Sequence, residues 1–223
     1  NITSVERALN VLLLIGNANK SLSLRDISNT SRLNKTTVLR ILHTLKNQEF
    51  ITYDSDLKLY SLGTNSLRLG LSALDSIDLV DFANPVLRQL SDVTDLTSQL
   101  GIFEKDNVLI LSKHIPKNRK HTNELVSKAG AIIPNFCTGI GLLFLAHESD
   151  NKVNEILEKT ELKQYTSTTI FDMNGIWSQI KEIRANGCQY AFNDGEHDEG
   201  IVSYCYPIYD FSEKMVAGIS ICG

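Results

Sequence analysis

The segment 34–51 has apolar residues at the spacing of one face of a helix. Val38 is followed by Ile41, Leu42 and Leu45 at intervals of three, four and seven residues, and this period predicts an amphipathic helix. Asn34 is expected to cap its start. The opposite side is polar and has no acidic residue before position 49: Thr36, Arg40, His43, Thr44 and Asn47.

Two more helices are predicted before this one. Thr3-Ser4-Val5-Glu6 fits a capping box, in which a hydroxyl and a carboxyl satisfy backbone N–H groups, so the first helix should run from there to about Gly16. Ser23-Leu24-Arg25-Asp26 is a second capping box, opening a short helix with Leu24 and Ile27 facing inward. The expected buried stripe of the first helix is Val5, Ala8, Leu9, Leu12 and Leu13.

A small hairpin is predicted after the third helix. Phe50–Tyr53 and Leu57–Tyr60 are rich in strand-forming residues and flank the polar turn Asp54–Asp56. Three helices followed by a hairpin is the order of a winged helix-turn-helix. We therefore expect a DNA-binding domain over residues 1–63, ending at Gly63.

Residues 64–76 are predicted to form a linking helix. Leu67, Leu71 and Leu74 fall on one side of it. These leucines are expected to join two copies of the chain, and the alternative is that they pack only against their own domain.

The remaining residues, 77–223, mix strands and helices. A helix is expected from Leu79 to about Val93, with Asp78 as its cap and with Pro85 either kinking it or marking its true start. Strand pairs with helices grouped between them predict an antiparallel α+β domain. The other expected strands are 98–103, 108–114, 124–129, 200–209 and 214–222, and the other expected helices are 139–147, 152–157 and 173–186.

Composition narrows the class of protein. Hydrophobic residues make up 42% and charged residues 22% of the chain, as in ordinary globular proteins. An apolar run such as Val11–Ile15 is too short to cross a bilayer. The four cysteines form no CxxC pair, which disfavours a zinc ribbon and a secreted disulfide framework. The chain opens at Asn1 without a secretory leader, so we expect a trimmed chain, and the cysteine usage predicts a cytoplasmic protein. No cofactor is expected.

Charge is distributed unevenly along the chain. Residues 1–65 hold eight Lys and Arg against five Asp and Glu, a net charge of +3. The remaining residues hold 14 against 21, a net charge of −7. A basic N-terminal domain on an acidic body suits an N-terminal domain that meets phosphate.

The polar side of the third helix carries side chains that suit contact with DNA. Short hydroxyls, an amide and a single arginine can approach phosphates and base edges closely, and the first turn of a recognition helix enters the major groove. A solvated face is the alternative for an isolated helix, but the helix-turn-helix order favours DNA contact. The residues expected to contact DNA are Arg25, Lys35, Thr36, Thr37, Arg40, His43, Thr44 and Lys58.

Sequence blocks at both ends of the chain match one known family. At the front they are SVERALNVLLLI, LSLRDISNTSRLNKTTVLRILHTL and YSLG, and at the back GAIIPNFCTGIGLLFLA and NDGEHDEGIVSYCYPIYD. With these blocks the chain resembles the IclR family of bacterial transcription regulators over nearly all of its length. The resemblance implies a winged-helix domain tied by a helix to an effector domain similar to GAF domains. It also implies double-stranded operator DNA as a partner, bound by a homodimer or a dimer of dimers.

The chain departs from the family pattern at several positions. The usual Pro-Lys-Ser before the recognition helix is Asn34-Lys35-Thr36, and the usual lysine of the second block is Leu142. A common cysteine of the last strands falls on Ser203, and the family's C-terminal helix has no counterpart before Gly223. These differences bear on the identity of the effector and leave the expected architecture unchanged.

A binding pocket is expected where the helix after Thr138 begins. Two glycines leave the backbone N–H groups unobstructed at the positive end of the helix dipole, where a small carboxylate would fit. The alternative is that Gly139 and Gly141 serve only close helix packing. The family's acid in the last block aligns with Asn193, and its neighbour Asp194 is a further candidate. The effector contacts implied by the resemblance are Gly139, Ile140, Asn193, Ser203, Ser220 and Cys222.

Catalytic and metal sites find weaker support in the sequence. Cys137 could act as a nucleophile with His114, His121 or His147 as base, although a single cysteine is usually a small core residue. His114 and His121 could likewise contribute to a zinc site. The acidic cluster around His197 could hold a metal, but a solvated loop between strands is the better interpretation. That cluster consists of Asp194, Glu196, Asp198 and Glu199.

The predicted function is a transcription regulator without a catalytic residue, whose affinity for operator DNA changes when a small organic acid binds the C-terminal domain. The segment LGLSALDSIDLVDFANPVLRQLS is similar to regulators of 2-keto-3-deoxygluconate use, which favours a sugar acid or keto acid. The alternative is a ligand-sensing or enzymatic GAF-like domain whose winged-helix module serves protein contacts.

Overall fold

The chain folds into two compact units of mixed α+β structure, Asn1–Ile77 and Asp78–Gly223. Each unit has its own hydrophobic core. The structure, a computed structural model, describes residues 1–18, 20–74, 78–117 and 127–223.

The N-terminal unit combines helices with a small antiparallel sheet. Its described elements are α1 (Thr3–Asn17), β1 (Leu22–Ser23), α2 (Leu24–Ser31), α3 (Lys35–Asn47), β2 (Ile51–Asp54), β3 (Leu59–Leu62) and α4 (Thr64–Leu74). The strand order is β1-β3-β2, so the hairpin β2-β3 forms the wing that follows the helix-turn-helix.

Two helix starts are capped as predicted. The Ser23 side chain accepts a hydrogen bond from the Asp26 N–H at 3.2 Å, and the Asp26 carboxylate accepts one from the Ser23 N–H at 3.2 Å, which completes the capping box of α2. At the start of α3 the Asn34 side-chain oxygen accepts from the Thr37 N–H at 2.8 Å. These local bonds fix where α2 and α3 begin.

The prediction for α1 was wrong in two respects. Ile2 occupies its cap position and no side chain caps it, so the expected box at Thr3 does not form. The stripe built on Val5, Leu9 and Leu13 is exposed, 61% at Leu13, whereas the buried residues are Val11 and Ile15. The helix is apolar around much of its circumference, so spacing alone fits more than one stripe. Packing against α2 and α3 decides which of them is buried.

The strands of the wing lie one or two residues later than predicted. The Asp54 side-chain oxygen accepts hydrogen bonds from the N–H groups of Asp56 and Leu57, both at 2.9 Å, and holds the turn. Lys58 adopts a positive φ of 56° in that turn, so β3 starts only at Leu59. An acidic side chain thus shapes a turn over residues 55–58, which lies one to two residues beyond the predicted Asp54–Asp56.

The C-terminal unit contains a six-stranded antiparallel sheet of order β6-β5-β4-β9-β8-β7. Its strands are β4 (Thr97–Glu104), β5 (Asn107–His114), β6 (Ile132–Ile133), β7 (Ala191–Asp194), β8 (Val202–Tyr209) and β9 (Met215–Cys222). Its described helices are α5 (Asp78–Thr94), α6 (Gly139–His147), α7 (Asp150–Lys159) and α8 (Met173–Ala185).

Helices pack on both faces of this sheet. On one face α5 lies against β4, where the Ser98 hydroxyl donates to the Leu87 carbonyl oxygen at 2.7 Å. On the other face α6 packs against β8 and β9 and is covered in turn by α8. Residues Gly139–Ala146 of α6 are all buried, as expected for a helix enclosed between a sheet and a second helix.

Several predicted boundaries in this unit need correction. Pro85 lies inside α5, and Asp78 belongs to the helix rather than capping it. Of the strand expected over 124–129, residues 124–126 lie outside the described part, and residues 127–129 are not in a strand. The short strands β6 and β7 were missed because two- and four-residue strands carry too little alternation to be detected.

Candidate functional site

The polar side of α3 is an exposed surface without negative charge. Asn34 starts the helix, and Val38 and Leu42 anchor it in the core of the N-terminal unit. Thr37 is half-buried, because its position borders the buried stripe. The exposed residues expected to contact DNA on this helix are Lys35, Thr36, Arg40, His43 and Thr44.

Side chains on this surface differ in how far they are free to bind. The Thr44 hydroxyl donates back to the Arg40 carbonyl oxygen at 3.1 Å, and the Asn47 side-chain nitrogen lies 3.4 Å from Nδ1 of His43. Within the described residues the Arg40 guanidinium has no hydrogen-bond or ion-pair partner. Arg40 is therefore the side chain of this helix best placed to meet a base edge or a phosphate.

Arg25 and Lys58 lie outside α3. Arg25 is exposed in the first turn of α2, and Lys58 is exposed in the turn of the wing. In winged-helix proteins these elements flank the recognition helix, so both positions suit contacts to the sugar-phosphate backbone.

The C-terminal unit contains a small cavity between one face of the sheet and the start of α6. The cavity has a volume of about 40 Å³, measured as the space that the centre of a water molecule can occupy. One water needs about 10–15 Å³ by the same measure. The cavity therefore suits a few waters or a small molecule. It is lined by Gln99, Ser127, Ile133, Thr138, Gly139, Ile140, Asn193, His197, Asp198, Ile201, Ser203, Cys205, Ser220 and Cys222.

Strand register explains how distant residues meet in this cavity. Directly paired residues share a face of the sheet. One row across the strands therefore reads Lys113, Gln99, Ser220 and Cys205. The next row reads Thr97, Cys222, Ser203 and Asn193. The polar residues expected at the effector site are neighbours in these two rows.

Backbone donors are available where α6 begins. The Thr138 side chain accepts from the Gly141 N–H at 3.3 Å and donates to the Pro134 carbonyl oxygen at 2.6 Å. Within the described residues no acceptor lies on the N–H of Gly139 or Ile140, and both residues line the cavity. Two buried donors at the positive end of a helix suit an anionic group.

The two glycines of this segment serve different purposes. A Cβ on Gly141 would lie 2.3 Å from the Asn135 carbonyl oxygen, so Gly141 allows close packing of the backbone. A Cβ on Gly139 would lie 2.5 Å from the Cys205 sulfur and 3.3 Å from the Ser203 hydroxyl. Gly139 thus allows α6 to lie close to the wall of the cavity. This residue therefore serves both close helix packing and the pocket.

Two polar residues were not recognised from the sequence: Gln99, which lines the cavity, and Lys113, which bonds to the lining residue Ser127. The Lys113 ammonium donates to the Ser127 carbonyl oxygen at 2.7 Å, and the Gln99 side chain donates to the Ser127 hydroxyl at 2.7 Å. His197 and Asp198 pair at 3.0 Å between Nδ1 and Oδ2. The only sequence signal for Lys113 and Gln99 is their placement on two strands of a hairpin, and it becomes informative once the register is known.

Asp194 does not line the cavity. Successive side chains of a strand point to opposite faces, so the burial of Asn193 leaves Asp194 exposed. Asn193 instead turns inward, and its side-chain nitrogen donates to the Glu196 carboxylate at 3.0 Å. Of the residues expected to contact the effector, Asp194 therefore lies outside this cavity.

The cysteines are poor nucleophiles. Cys137 is fully buried, and this burial, reinforced by the negative charges of Glu196 and Asp198, raises the pKa of its thiol far above the ordinary value. Burial likewise raises the pKa of the Cys222 thiol to about 11. A thiol with a high pKa is rarely ionised at neutral pH, so neither residue has the character of a reactive cysteine.

The described residues contain no group of three or more His, Cys, Asp or Glu side chains that are placed to hold a metal ion. Glu196 is buried rather than exposed to solvent in a loop, and this burial raises the pKa of its carboxyl group. The carboxylate accepts hydrogen bonds from the Gln179 side chain and from the Ile170 N–H. His114 contacts Asn84 at 3.2 Å, and its suggested partner His121 lies outside the described residues.

Both units match sequence models of one family. Residues 71–223 match "Bacterial transcriptional regulator IclR C-terminal", and residues 4–55 match "IclR helix-turn-helix domain". The chain belongs to the IclR family. This confirms the family predicted from the sequence blocks and, with it, the class of bacterial transcriptional regulator.

Individual relatives agree with this assignment. The Pca regulon regulatory protein of Pseudomonas putida is 30% identical over 220 residues, 99% of this chain and 74% of that protein. The transcriptional regulator KdgR of Escherichia coli K12 is 27% identical, over 99% of this chain and 81% of that protein. A crystal structure of an IclR regulator from Alicyclobacillus acidocaldarius superposes with a TM-score of 0.82 at 27% identity, covering 100% of this chain and 88% of that chain.

These similarities concern regulators rather than enzymes. Across the described residues, none of the helices combines the length and the apolar character needed to cross a membrane.

Proposed function

We propose that this IclR-family regulator binds operator DNA in the cytoplasm through α3 and the wing, and that a small organic acid in the C-terminal cavity changes its affinity for that DNA. The observation that carries the DNA contact is the exposed polar side of α3, which holds Lys35 and Arg40 and has no acidic residue. Basic and short polar side chains on a recognition helix suit phosphates and base edges.

The chemistry of the cavity supports an anionic effector. The N–H groups of Gly139 and Ile140, which have no acceptor among the described residues, lie at the positive end of α6, and Lys113 lies in the row of residues that crosses the same wall. An anion can therefore be held although the C-terminal unit is acidic overall. Asp198 is acidic and lines the cavity too, so the ligand should also present a hydroxyl group as a donor.

The size of the cavity favours a small ligand. A cavity volume of about 40 Å³ fits a short acid better than a large aromatic one unless the walls move. Ser203 and Ser220 line the wall and suit hydroxyl or carbonyl oxygens. A sugar acid or keto acid has both kinds of group, which is why we favour that class.

Assembly as a dimer, or as a dimer of dimers, is part of the proposal. Leu67 and Leu71 of α4 are exposed large apolar residues, and so are Val5, Leu9 and Leu13 of α1. Exposed apolar stripes of this kind mark surfaces that bind another protein. A two-fold dimer would read a palindromic operator. Sedimentation at micromolar concentration should give a mass of at least two chains, and a monomer with and without DNA would contradict this part.

Salt dependence tests the DNA contact. A duplex recovered by selection from a random-sequence pool should lose affinity steeply as salt rises, because neutralised phosphates release counterions. The same measurement discriminates against a winged helix that serves only protein contacts, since such a module would recover no duplex and show no slope.

Thermal shift against sugar acids, keto acids and aromatic acids tests the effector part. A ligand that binds only the folded protein raises the melting temperature, and the rise grows with the ratio of ligand concentration to dissociation constant. If only neutral or cationic compounds stabilise the protein, the proposal that the cavity binds an anion is wrong, and the proposal of operator binding is unaffected.

A further inference from the structure

Leu39 is an apolar residue outside the buried stripe of α3. Its side chain is 46% exposed, whereas Val38 and Leu42 on the same helix are buried. On the helix surface Leu39 neighbours Thr36, three residues before it, and His43, four residues after it. It therefore lies among the polar residues proposed to face DNA.

A leucine on this surface can meet few partners in DNA. Its side chain neither donates nor accepts hydrogen bonds, and in the major groove the base edges present donors, acceptors and one kind of apolar group, the C5-methyl of thymine. A leucine that enters the groove next to Thr36 therefore has that methyl group as its complementary partner.

The charges around Leu39 favour DNA as the occupant of this surface. A cleft beside the helix is lined by Leu39 together with Arg40, His43 and Lys46 of α3 and with Tyr53 of the wing. Basic side chains beside an apolar contact suit a groove bordered by phosphates.

We propose that Leu39 is a specificity-determining residue that contacts a thymine methyl group in each operator half-site. This inference rests on the proposed operator binding. An exposed leucine away from α3 should have no such effect, because single exposed apolar residues are ordinary on protein surfaces. Leu69 of α4 provides the control, since it is 60% exposed and lies outside both α3 and the wing.

Replacement of thymine by deoxyuridine provides the test, since this change removes only the methyl group. In the duplex recovered by selection, each thymine is replaced in turn, and the dissociation constant is measured by fluorescence anisotropy for the wild type, Leu39→Ala and Leu69→Ala. At one thymine per half-site the wild type and Leu69→Ala should lose about fourfold in affinity, the amount expected for one buried methyl group. Leu39→Ala should bind both duplexes equally at that position.

The possible outcomes separate the two proposals. A recovered duplex whose half-sites lack thymine, or an equal loss for the wild type and Leu39→Ala at every position, would overturn the Leu39 contact and leave operator binding intact. Failure of the wild type to recover any duplex would overturn operator binding and the contact with it. Circular dichroism of Leu39→Ala should match the wild type, because the side chain is not part of the core.

Discussion

The side-chain amide of Asn193 donates to the buried carboxylate of Glu196, with 3.0 Å between Nδ2 and Oε1. The same carboxylate accepts from the Ile170 N–H at 3.1 Å and from the Gln179 side chain at 2.5 Å. Within the described residues no Lys or Arg pairs with it. One wall of the cavity is therefore supported by a buried acidic group, whose hydrogen-bond donors among the described residues are backbone and side-chain amides.

The first prediction concerns the pH dependence of stability at Glu196. Burial raises the pKa of Glu196 in the folded protein above its ordinary value of 4.5. The folded state then binds the proton more tightly than the unfolded state, so this group lowers the free energy of unfolding as pH rises from the unfolded value through the folded one. Glu196→Gln cannot ionise. Its free energy of unfolding should therefore gain on that of the wild type as pH is raised through this window.

Urea denaturation at several pH values measures this difference. Trp177, the single tryptophan, lies in α8 of the same unit and reports its unfolding by fluorescence. A difference that is constant with pH, or that moves in favour of the wild type as pH rises, would be inconsistent with the raised pKa.

The second prediction compares two glycines in helices. Gly141→Ala places a Cβ against the Asn135 backbone and should lower the free energy of unfolding by roughly 1–3 kcal/mol, the usual cost of overpacking. Gly70→Ala in α4 meets nothing within 4 Å and should raise helix stability by about 0.5–1 kcal/mol. Chemical denaturation of both variants checks the opposite signs, and a stabilised Gly141→Ala would refute the close approach.

The third prediction concerns Arg40. Arg40→Ala should weaken operator binding by about 1–3 kcal/mol if the guanidinium reads a guanine, and the loss should be confined to that base pair. Arg88→Ala in α5 removes the same charge from an exposed position of the C-terminal unit and serves as the control. Equal affinities of Arg40→Ala and the wild type in a titration at moderate salt would remove Arg40 from the interface.

The fourth prediction concerns Lys113. If its ammonium contributes to anion binding, Lys113→Met should weaken binding of the acid identified by thermal shift by about 1.5–3 kcal/mol, the range for a hydrogen bond to a charged group. Lys105→Met, at an exposed turn of the same unit, should leave the affinity unchanged. Calorimetric titration of both variants decides this, and equal affinities would place the anion away from Lys113.

The fifth prediction concerns Ser203, which lines the cavity beside Gly139. Ser203→Val replaces the hydroxyl with a methyl group and adds a second methyl group on Cβ, in a strand, where valine is well tolerated. The ligand-induced thermal shift should disappear, while the melting temperature without ligand and the affinity for DNA should stay close to those of the wild type. Retention of the full thermal shift would show that Ser203 does not contact the effector.

The sequence by itself determined the local features of this protein. The spacing of Val38, Leu42 and their neighbours, with the Asn34 cap, defined α3, and the predicted bounds of α6 agree with the structure. These features depend on residues within a few positions of one another, where helix periodicity and capping act. The sequence blocks at both ends also sufficed to identify the family, which the comparisons confirm.

Only the tertiary structure decided which candidate residues meet. Lys113, Gln99, Ser220 and Cys205 are far apart in sequence and become neighbours through the register of four strands. A shift of one residue in that register would turn each side chain to the other face, and strand spacing within a sequence does not specify pairing with distant strands. The exposure of Leu13 has the same origin, because the apolar surface of α1 permits several stripes and only the neighbouring helices select the buried one.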